Sequence, residues 1–204
     1  MSLRFFPSET RSLELLTSLS DVLREALAGA SELLAADEDG VKPLRERIDA
    51  LEMKATDLHY ALLTHLRTSF VNPLPREDLY AFSRLLARAV SAVAAAASGL
   101  PETADRRSER VTELLEILGR QADLIRKVMA GIGRLESLED LWLDLLRLSS
   151  RARRTQRAWL LDQAGIQKIA TVIPQQVLSR DLQSAADAML GFADHLGHVL
   201  VKES

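Results

Sequence analysis

The chain has 204 residues and a formal net charge of −3 at pH 7, and 47% of its residues are hydrophobic. This hydrophobic content excludes a disordered chain, and the negative charge argues against attraction of the whole molecule to nucleic acid. Because cysteine is absent, disulfide bonds, thiolate metal sites and cysteine nucleophiles are excluded.

Helical periodicity runs through the whole chain, and no strand-like alternation persists. Apolar stripes over residues 13–34 and 44–62 predict the first two helices, with residues 37–40 between them. The segment VNPLP, residues 71–75, ends the second helix because each proline disfavours the α region for the residue before it. Pro75, the second proline of this segment, suits the first turn of a third helix, which runs to Ser98.

Three further stripes predict the helices in the second half of the chain. The fourth covers residues 111–132, the fifth residues 141–159 and the sixth residues 178–199. Gly165 closes the fifth helix, and Pro174 opens the sixth. Short connections between these helices make sequential neighbours antiparallel.

The sequence therefore predicts an all-α protein of six long antiparallel helices, built as two repeated three-helix units. The units are expected to cover residues 1–100 and 101–204, either as two bodies or packed as one domain. A thin similarity between residues 51–56 and 148–153 supports the repeat, and the alternative is a fortuitous match of two helices. Long helices leave apolar faces that a second copy can cover, so we expect a homo-oligomer.

Neither a targeting segment nor a membrane span is expected. The N-terminus, MSLRFFPSET, shows no apolar h-region, which favours a cytoplasmic protein. A spanning helix needs roughly 20 apolar residues, whereas the best run, residues 89–100, is shorter and mostly alanine. We expect no membrane insertion, and we expect any membrane contact to go through a partner.

The stretch LRTSFVNPLPREDL, residues 66–79, is the most specific local pattern. It resembles the helix-loop-helix of the PhoU-like phosphate-transport regulators, in the branch once known only as a domain of unknown function, whose pattern is close to F-I-T-P-x-D-R-E-D-I. The matching residues are Phe70, Val71, Pro73, Arg76, Glu77, Asp78 and Leu79. Upstream, the residues that look like the family's I-x-x-L-E-x-x-A-D are Ile48, Leu51, Glu52 and Ala55.

The resemblance implies an all-helical cytoplasmic protein linked to phosphate uptake, in a family whose members often bind metal clusters through acidic residues. Those acidic positions are largely replaced here. Glu52 is kept, but Thr56 follows where the family has a second acid, and Ser91 replaces an acid on the third helix. One carboxylate alone does not hold a cluster. We therefore expect no metal or other cofactor, with Glu52 and Asp187 as the residual family positions.

Arginines stand at two of the replaced positions, Arg88 on the third helix and Arg153 on the fifth. A guanidinium can satisfy a carboxylate that faced a metal in related chains. The pattern predicts ion pairs of Arg88 with Glu52 and of Arg153 with Asp187. The alternative is that all four residues lie at solvated helix edges.

Five arginines lie within the eleven residues 147–157. Three of them, Arg147, Arg151 and Arg154, share one helix face and are our candidate partner-binding residues. A basic face can meet an acidic partner, phosphate or lipid head groups, and the alternative is a solvated face balanced by nearby acids. The four histidines do not follow a metal-binding motif and are interpreted as packed or surface side chains.

These features predict a non-enzymatic regulator or accessory protein of phosphate transport. It would dock to a membrane phosphate transporter or a signalling partner through an exposed helix face, and it would not bind nucleic acid. Two alternatives stay open. One is a metal-binding helical-bundle protein, and the other is a structural helical protein unrelated to phosphate.

Overall fold

A computed structural model of the chain describes residues 7–69, 71–100, 109–163 and 169–202. Six long α-helices and one 3-10 turn, Leu135–Ser137, account for nearly all of these residues, and no strand occurs among them. The helices are α1 (Pro7–Ala35), α2 (Glu38–Thr68), α3 (Arg76–Gly99), α4 (Glu109–Gly131), α5 (Glu139–Gln163) and α6 (Ile169–Lys202). The predicted all-α class with six helices is confirmed.

Local chemistry explains most of the helix ends. Asp37 caps α2, and its Oδ1 accepts the backbone N–H of Gly40 at 3.0 Å. Glu77 and Asp78 lie in the first turn of α3, where negative charge is favoured by the helix dipole. The last helix starts at Ile169, so the predicted start at Pro174 is wrong.

Both prolines that lie inside helices occupy the same position from the helix start. Pro43 is the sixth residue of α2, and Pro174 is the sixth residue of α6. The first four N–H groups of a helix have no partner within it, so a proline at this position removes only one or two backbone bonds. This placement lets each helix begin before its proline.

Contacts between helix ends show that neighbouring helices run antiparallel. Each contact joins the start of one helix to the end of the helix beside it. The pairs are Arg47–Glu32, Arg45–Ser98, Lys202–Asp78, Arg110–Asp162 and Trp142–Gly197. The sequential pairs α1–α2, α2–α3, α4–α5 and α5–α6 therefore have the antiparallel order that the sequence predicted.

The two predicted three-helix units pack side by side. Helices α1, α2 and α3 contact one another, and α5 packs on α4 and α6. Across the halves, α1 packs on α4 and α3 packs on α6, so one continuous apolar core passes through all six helices. The predicted boundary at residue 100 immediately precedes residues 101–108, which lie outside the described ranges.

Helix α3 lies deep in this arrangement, between α1, α2 and α6. Of the described helices, it alone is long and apolar enough to span a membrane by length and composition. Half of its most apolar window is buried inside the bundle. A helix that is apolar on several faces is accounted for by such burial.

Helices α5 and α6 pack closely at Gly197, which lies against the ring of Trp142. A Cβ atom at this position would lie 2.8 Å from Nε1 of Trp142. We expect Gly197→Ala to lower the free energy of unfolding by about 1–3 kcal/mol, because overpacking forces the ring or backbone to shift. Urea unfolding followed by circular dichroism measures this change.

Gly119 of α4 is the matched control, because a Cβ atom there meets nothing within 4 Å. Gly119→Ala should raise the free energy of unfolding by about 0.5–1 kcal/mol, since alanine loses less backbone entropy in a helix. Equal effects of the two substitutions would contradict the packing described at Gly197.

Candidate functional site

The corner between α2 and α3 is fixed by polar groups of the segment that carries the family resemblance. The backbone N–H of Ser69 donates to the carbonyl of His65 at 2.8 Å, and its hydroxyl donates to the carbonyl of Val71 at 2.7 Å. Nη2 of Arg76 donates to the carbonyl of Ser69 at 2.5 Å. Phe70, another residue of the pattern, lies outside the described residues. The corner therefore has a defined shape from which α3 starts.

A buried carboxylate lies next to this corner and joins the start of α3 to the end of α6. The side chain of Asp78 is only 2% exposed. Nζ of Lys202 donates to its Oδ2 at 3.1 Å, and Nε2 of His195 lies 3.1 Å from its Oδ1, off the line of a straight hydrogen bond. Burying a carboxylate is costly unless it is paired, so these two groups make the burial of Asp78 tolerable.

The His195 ring is held between this carboxylate and the aromatic core. Its edge contacts Phe82 with ring centroids 4.9 Å apart, and His198 lies 6.0 Å away on the exposed side. Burial lowers the pKa of His195 below its ordinary value. Asp78 opposes this shift, while the charges of His198 and Lys202 add to it. The folded protein therefore favours the neutral imidazole.

Two positions that the resemblance aligns with acidic residues, Glu52 and Ser91, lie together in the structure. Ser91, and not the predicted Arg88, is therefore the partner of Glu52. Glu52 on α2 accepts a hydrogen bond from the hydroxyl of Ser91 on α3 at 2.5 Å. Among the described residues Arg88 forms no ion pair with Glu52, and its side chain is exposed. The Ser91 hydroxyl therefore supplies the hydrogen bond to Glu52 that the sequence predicted from Arg88.

The second predicted ion pair is also not formed within the described ranges. Arg153 and Asp187 both lie on exposed faces of their helices, α5 and α6. Nε2 of Gln183, one turn earlier on α6, donates to Oδ1 of Asp187 at 2.6 Å. A neighbour at spacing i, i+4 reaches the carboxylate more readily than a side chain on another helix.

The three candidate partner-binding arginines have different surroundings. Nη2 of Arg151 donates to Glu113 of α4 at 2.9 Å, which ties this side chain to the bundle. Nη1 of Arg147 donates to Asp144 at 2.7 Å in an exposed pair. Arg147 and Arg154 flank a shallow surface cavity of about 320 Å³. We call this cavity the α5 groove, and its lining residues are Leu143, Leu146, Arg147, Ser150 and Arg154.

A larger surface cavity of about 600 Å³ lies beside the α2–α3 corner. Its rim includes Tyr60 and Tyr80, and Arg67 and Arg76 also line it. The sequence reasoning missed this cavity. The available signal was Tyr80, which immediately follows the family-like segment, but the position of Tyr60 beside it depends on how α2 packs on α3.

In the part of the chain that the structure describes, no three histidine, aspartate or glutamate side chains form a group that could hold a metal ion. Comparison with models of known protein families and with curated proteins finds no match to this chain. The family resemblance stays a prediction that depends on the residues named above.

Removing the charge of Asp78 should weaken the α3–α6 contact. We expect Asp78→Asn to lower the free energy of unfolding by about 1–3 kcal/mol, because the Lys202 ammonium loses the buried negative charge that it pairs with. Glu77→Gln is the matched control, since Glu77 is 74% exposed and lies 3.7 Å from the same lysine. Its effect should stay below about 0.5 kcal/mol. Equal losses in urea unfolding would contradict the role assigned to the buried carboxylate.

The lowered pKa of His195 predicts a direction for the pH dependence of stability. In the unfolded chain the imidazole takes up a proton near pH 6.5, whereas in the folded chain it does so only at lower pH. The protonation of His195 should therefore not reduce the free energy of unfolding above pH 6.5. Below that pH the free energy of unfolding should fall as the pH drops. His195→Gln should reduce this fall, as measured by urea titrations between pH 5 and 8.

The exposed neighbour provides a control for this measurement. His198→Gln keeps the buried ring and its contact with Asp78, so the fall in stability below pH 6.5 should persist in that variant. An unchanged pH dependence in His195→Gln would show that another group causes the effect. His59 is the next group to test, because burial also lowers its pKa.

Proposed function

We propose that this chain is a PhoU-like, non-enzymatic regulator or accessory protein of phosphate transport in the cytoplasm. In this proposal it docks to a membrane phosphate transporter or to a signalling protein that responds to phosphate. Support comes from the pattern of residues 66–79 and from the all-α bundle in which this pattern forms the corner between α2 and α3.

The observation that carries the proposal is the contact of Glu52 with Ser91. The resemblance assigns these two positions, which are 39 residues apart, to one acidic cluster of the family. They meet at hydrogen-bond distance in the folded chain, with serine in place of the second acid. The juxtaposition supports the alignment, and the serine agrees with loss of the cluster's negative charge.

The α5 groove is the docking surface that we assign to the partner. Leu143 and Leu146 provide apolar contacts, while Arg147 and Arg154 flank them with positive charge. This combination suits a partner segment with apolar side chains and carboxylates, since apolar anchors give affinity and charged rims give orientation.

The proposal is tested by capture from native membranes prepared after growth at low and at high phosphate. The tagged chain should retain a phosphate-transporter subunit or a phosphate-signalling protein, identified by mass spectrometry. Leu143→Glu combined with Arg147→Glu should reduce this capture about tenfold or more, because the change removes an apolar anchor and reverses a charge.

Met53→Glu combined with Lys54→Glu is the matched control, since it changes one exposed apolar and one exposed basic residue on α2. This variant should retain the wild-type level of capture. The proposal fails if neither kind of partner is retained at either phosphate level, or if the groove variant captures as much as wild type.

The metal-binding alternative has a separate test. Protein purified without chelators can be analysed for iron, manganese and zinc. A stoichiometric metal that disappears in Glu52→Gln would favour that alternative, because Glu52 is a residual family position that contacts a neighbouring helix.

A further inference from the structure

The end of the bundle formed by the α5–α6 hairpin exposes large aliphatic side chains. We call this end the α5–α6 tip, and its exposed aliphatic residues are Leu160, Leu161, Ile169, Ile173 and Val177. Leu161 is 69% exposed and Ile169 is 74% exposed. The contact of Gln156 with Ser179 places the last turns of α5 beside the first turns of α6, so the five side chains lie at the same end of these two helices.

The exposure on α6 arises because this helix extends past the end of α3. A Cβ atom at Gly191 would touch Leu85 of α3, and the two helices run antiparallel. Gly99, the last residue of α3, lies fourteen residues after Leu85. Because the two helices run in opposite directions, Gly99 is level with Val177, which lies fourteen residues before Gly191. The turns of α6 that precede Val177 therefore have no part of α3 beside them.

Ile173 and Val177 lie on the same side of α6 as the residues that pack on α3. Val177 and His195 are eighteen residues apart, which is five helical turns, and the same spacing separates Ile173 from Gly191. Both His195 and Gly191 contact α3. The part of α6 that extends past α3 therefore exposes apolar side chains like those of the buried core. It is an apolar surface patch and not a solvated face.

Positive charge lies next to this patch on α5. Arg153, Arg154 and Arg157 form no ion pair within the described residues, and they precede the two exposed leucines by one to two turns. Asp162, the acid beside the leucines, is engaged with Arg110 of α4 at 2.9 Å. The first eleven residues of α6, 169–179, carry no charge. The surroundings of the tip are therefore basic.

We propose that the α5–α6 tip binds an anionic membrane surface. The aliphatic side chains enter the boundary between head groups and acyl chains, and the arginines remain at the level of the anionic head groups. This contact is direct, whereas the sequence predicted membrane contact only through a partner. It does not depend on a role in phosphate transport.

Two features favour a bilayer over a protein as the occupant. Each partner of a stable protein interface contributes roughly 20–30 residues of all kinds, whereas the tip offers five exposed aliphatic side chains and three arginines. A two-fold contact between two copies would also bring the unpaired arginines of one tip towards those of the other. A membrane needs only a few apolar side chains and several positive charges.

The test is co-sedimentation of the full chain with vesicles. Binding should occur to equimolar phosphatidylcholine and phosphatidylglycerol, weaken as salt is raised, and be at least about tenfold weaker with phosphatidylcholine alone. Leu161→Gln combined with Ile169→Gln should weaken binding to the anionic vesicles about tenfold or more. Arg153→Gln combined with Arg157→Gln should have a similar effect.

Matched controls lie outside α5 and α6 and change exposed residues of the same kinds. Met53→Gln with Val71→Gln removes two exposed apolar side chains, and Arg24→Gln with Lys54→Gln removes two exposed charges. Both control pairs should bind anionic vesicles as wild type does. All variants are exposed-site changes, and circular dichroism verifies that each one is folded.

Several results would overturn this assignment. One is the absence of binding to anionic vesicles, and another is binding that the two tip variants leave unchanged. Light scattering that shows a dimer converted to monomer by Leu161→Gln with Ile169→Gln would identify a second copy as the occupant instead. Transporter capture through the α5 groove is measured separately, so failure of either proposal leaves the other testable.

Discussion

The antiparallel packing of α3 against α6 is the contact on which the rest of the arrangement depends. It joins the two halves of the chain, and its register is fixed at several points along its length. Phe82 packs on Phe192 with ring centroids 5.0 Å apart, and Leu85 lies against Gly191. At the end of the contact the buried Asp78 holds the last turn of α6. Since α6 has 34 residues and α3 has 24, this register leaves the opposite end of α6 extending past the last residue of α3.

Buried polar pairs supply register information that leucine stripes lack. Stripes spaced by three and four residues can interdigitate in more than one register, because each turn resembles the next. Nε2 of Gln121 donates to the hydroxyl of Ser149 at 2.8 Å, which aligns α4 with α5. Nε2 of Gln156 similarly donates to Ser179 at 2.8 Å and aligns α5 with α6. A shift by one turn would leave these amides buried without partners, at a cost of about 1–3 kcal/mol for each one.

The helices themselves were predictable from the sequence because their apolar spacing and end signals are local. The VNPLP segment separates α2 from α3, as expected. The start of a helix was harder to predict where a proline lies in its second turn, as at Pro174. A proline can mark the first turn of a new helix, but it can also lie inside a helix that has already begun, and the sequence does not distinguish the two cases. Period and composition gave the number and order of the helices but did not fix their packing.

The contacts of the candidate site were less predictable, because they join residues far apart in the chain. Asp78 was noted as a favourable charge in a first helical turn, but its burial depends on Lys202, which is 124 residues away. Glu52 was predicted to pair with Arg88, but it accepts a hydrogen bond from Ser91 instead. A family pattern identified the region, whereas the choice of partner depends on side-chain length and exact facing, which only the packed helices define.

The distribution of charge shows the same difference between sequence and structure. The net charge of −3 describes the whole chain, yet five arginines of α5 lie within eleven residues. Packing divides them: Arg151 is neutralised across the helix boundary by Glu113, and Arg147 is neutralised along α5 by Asp144. The other three form no ion pair in the described part of the chain. Because screening limits exposed charges to about 10 Å, a partner at this face responds to the local positive charge and not to the negative total.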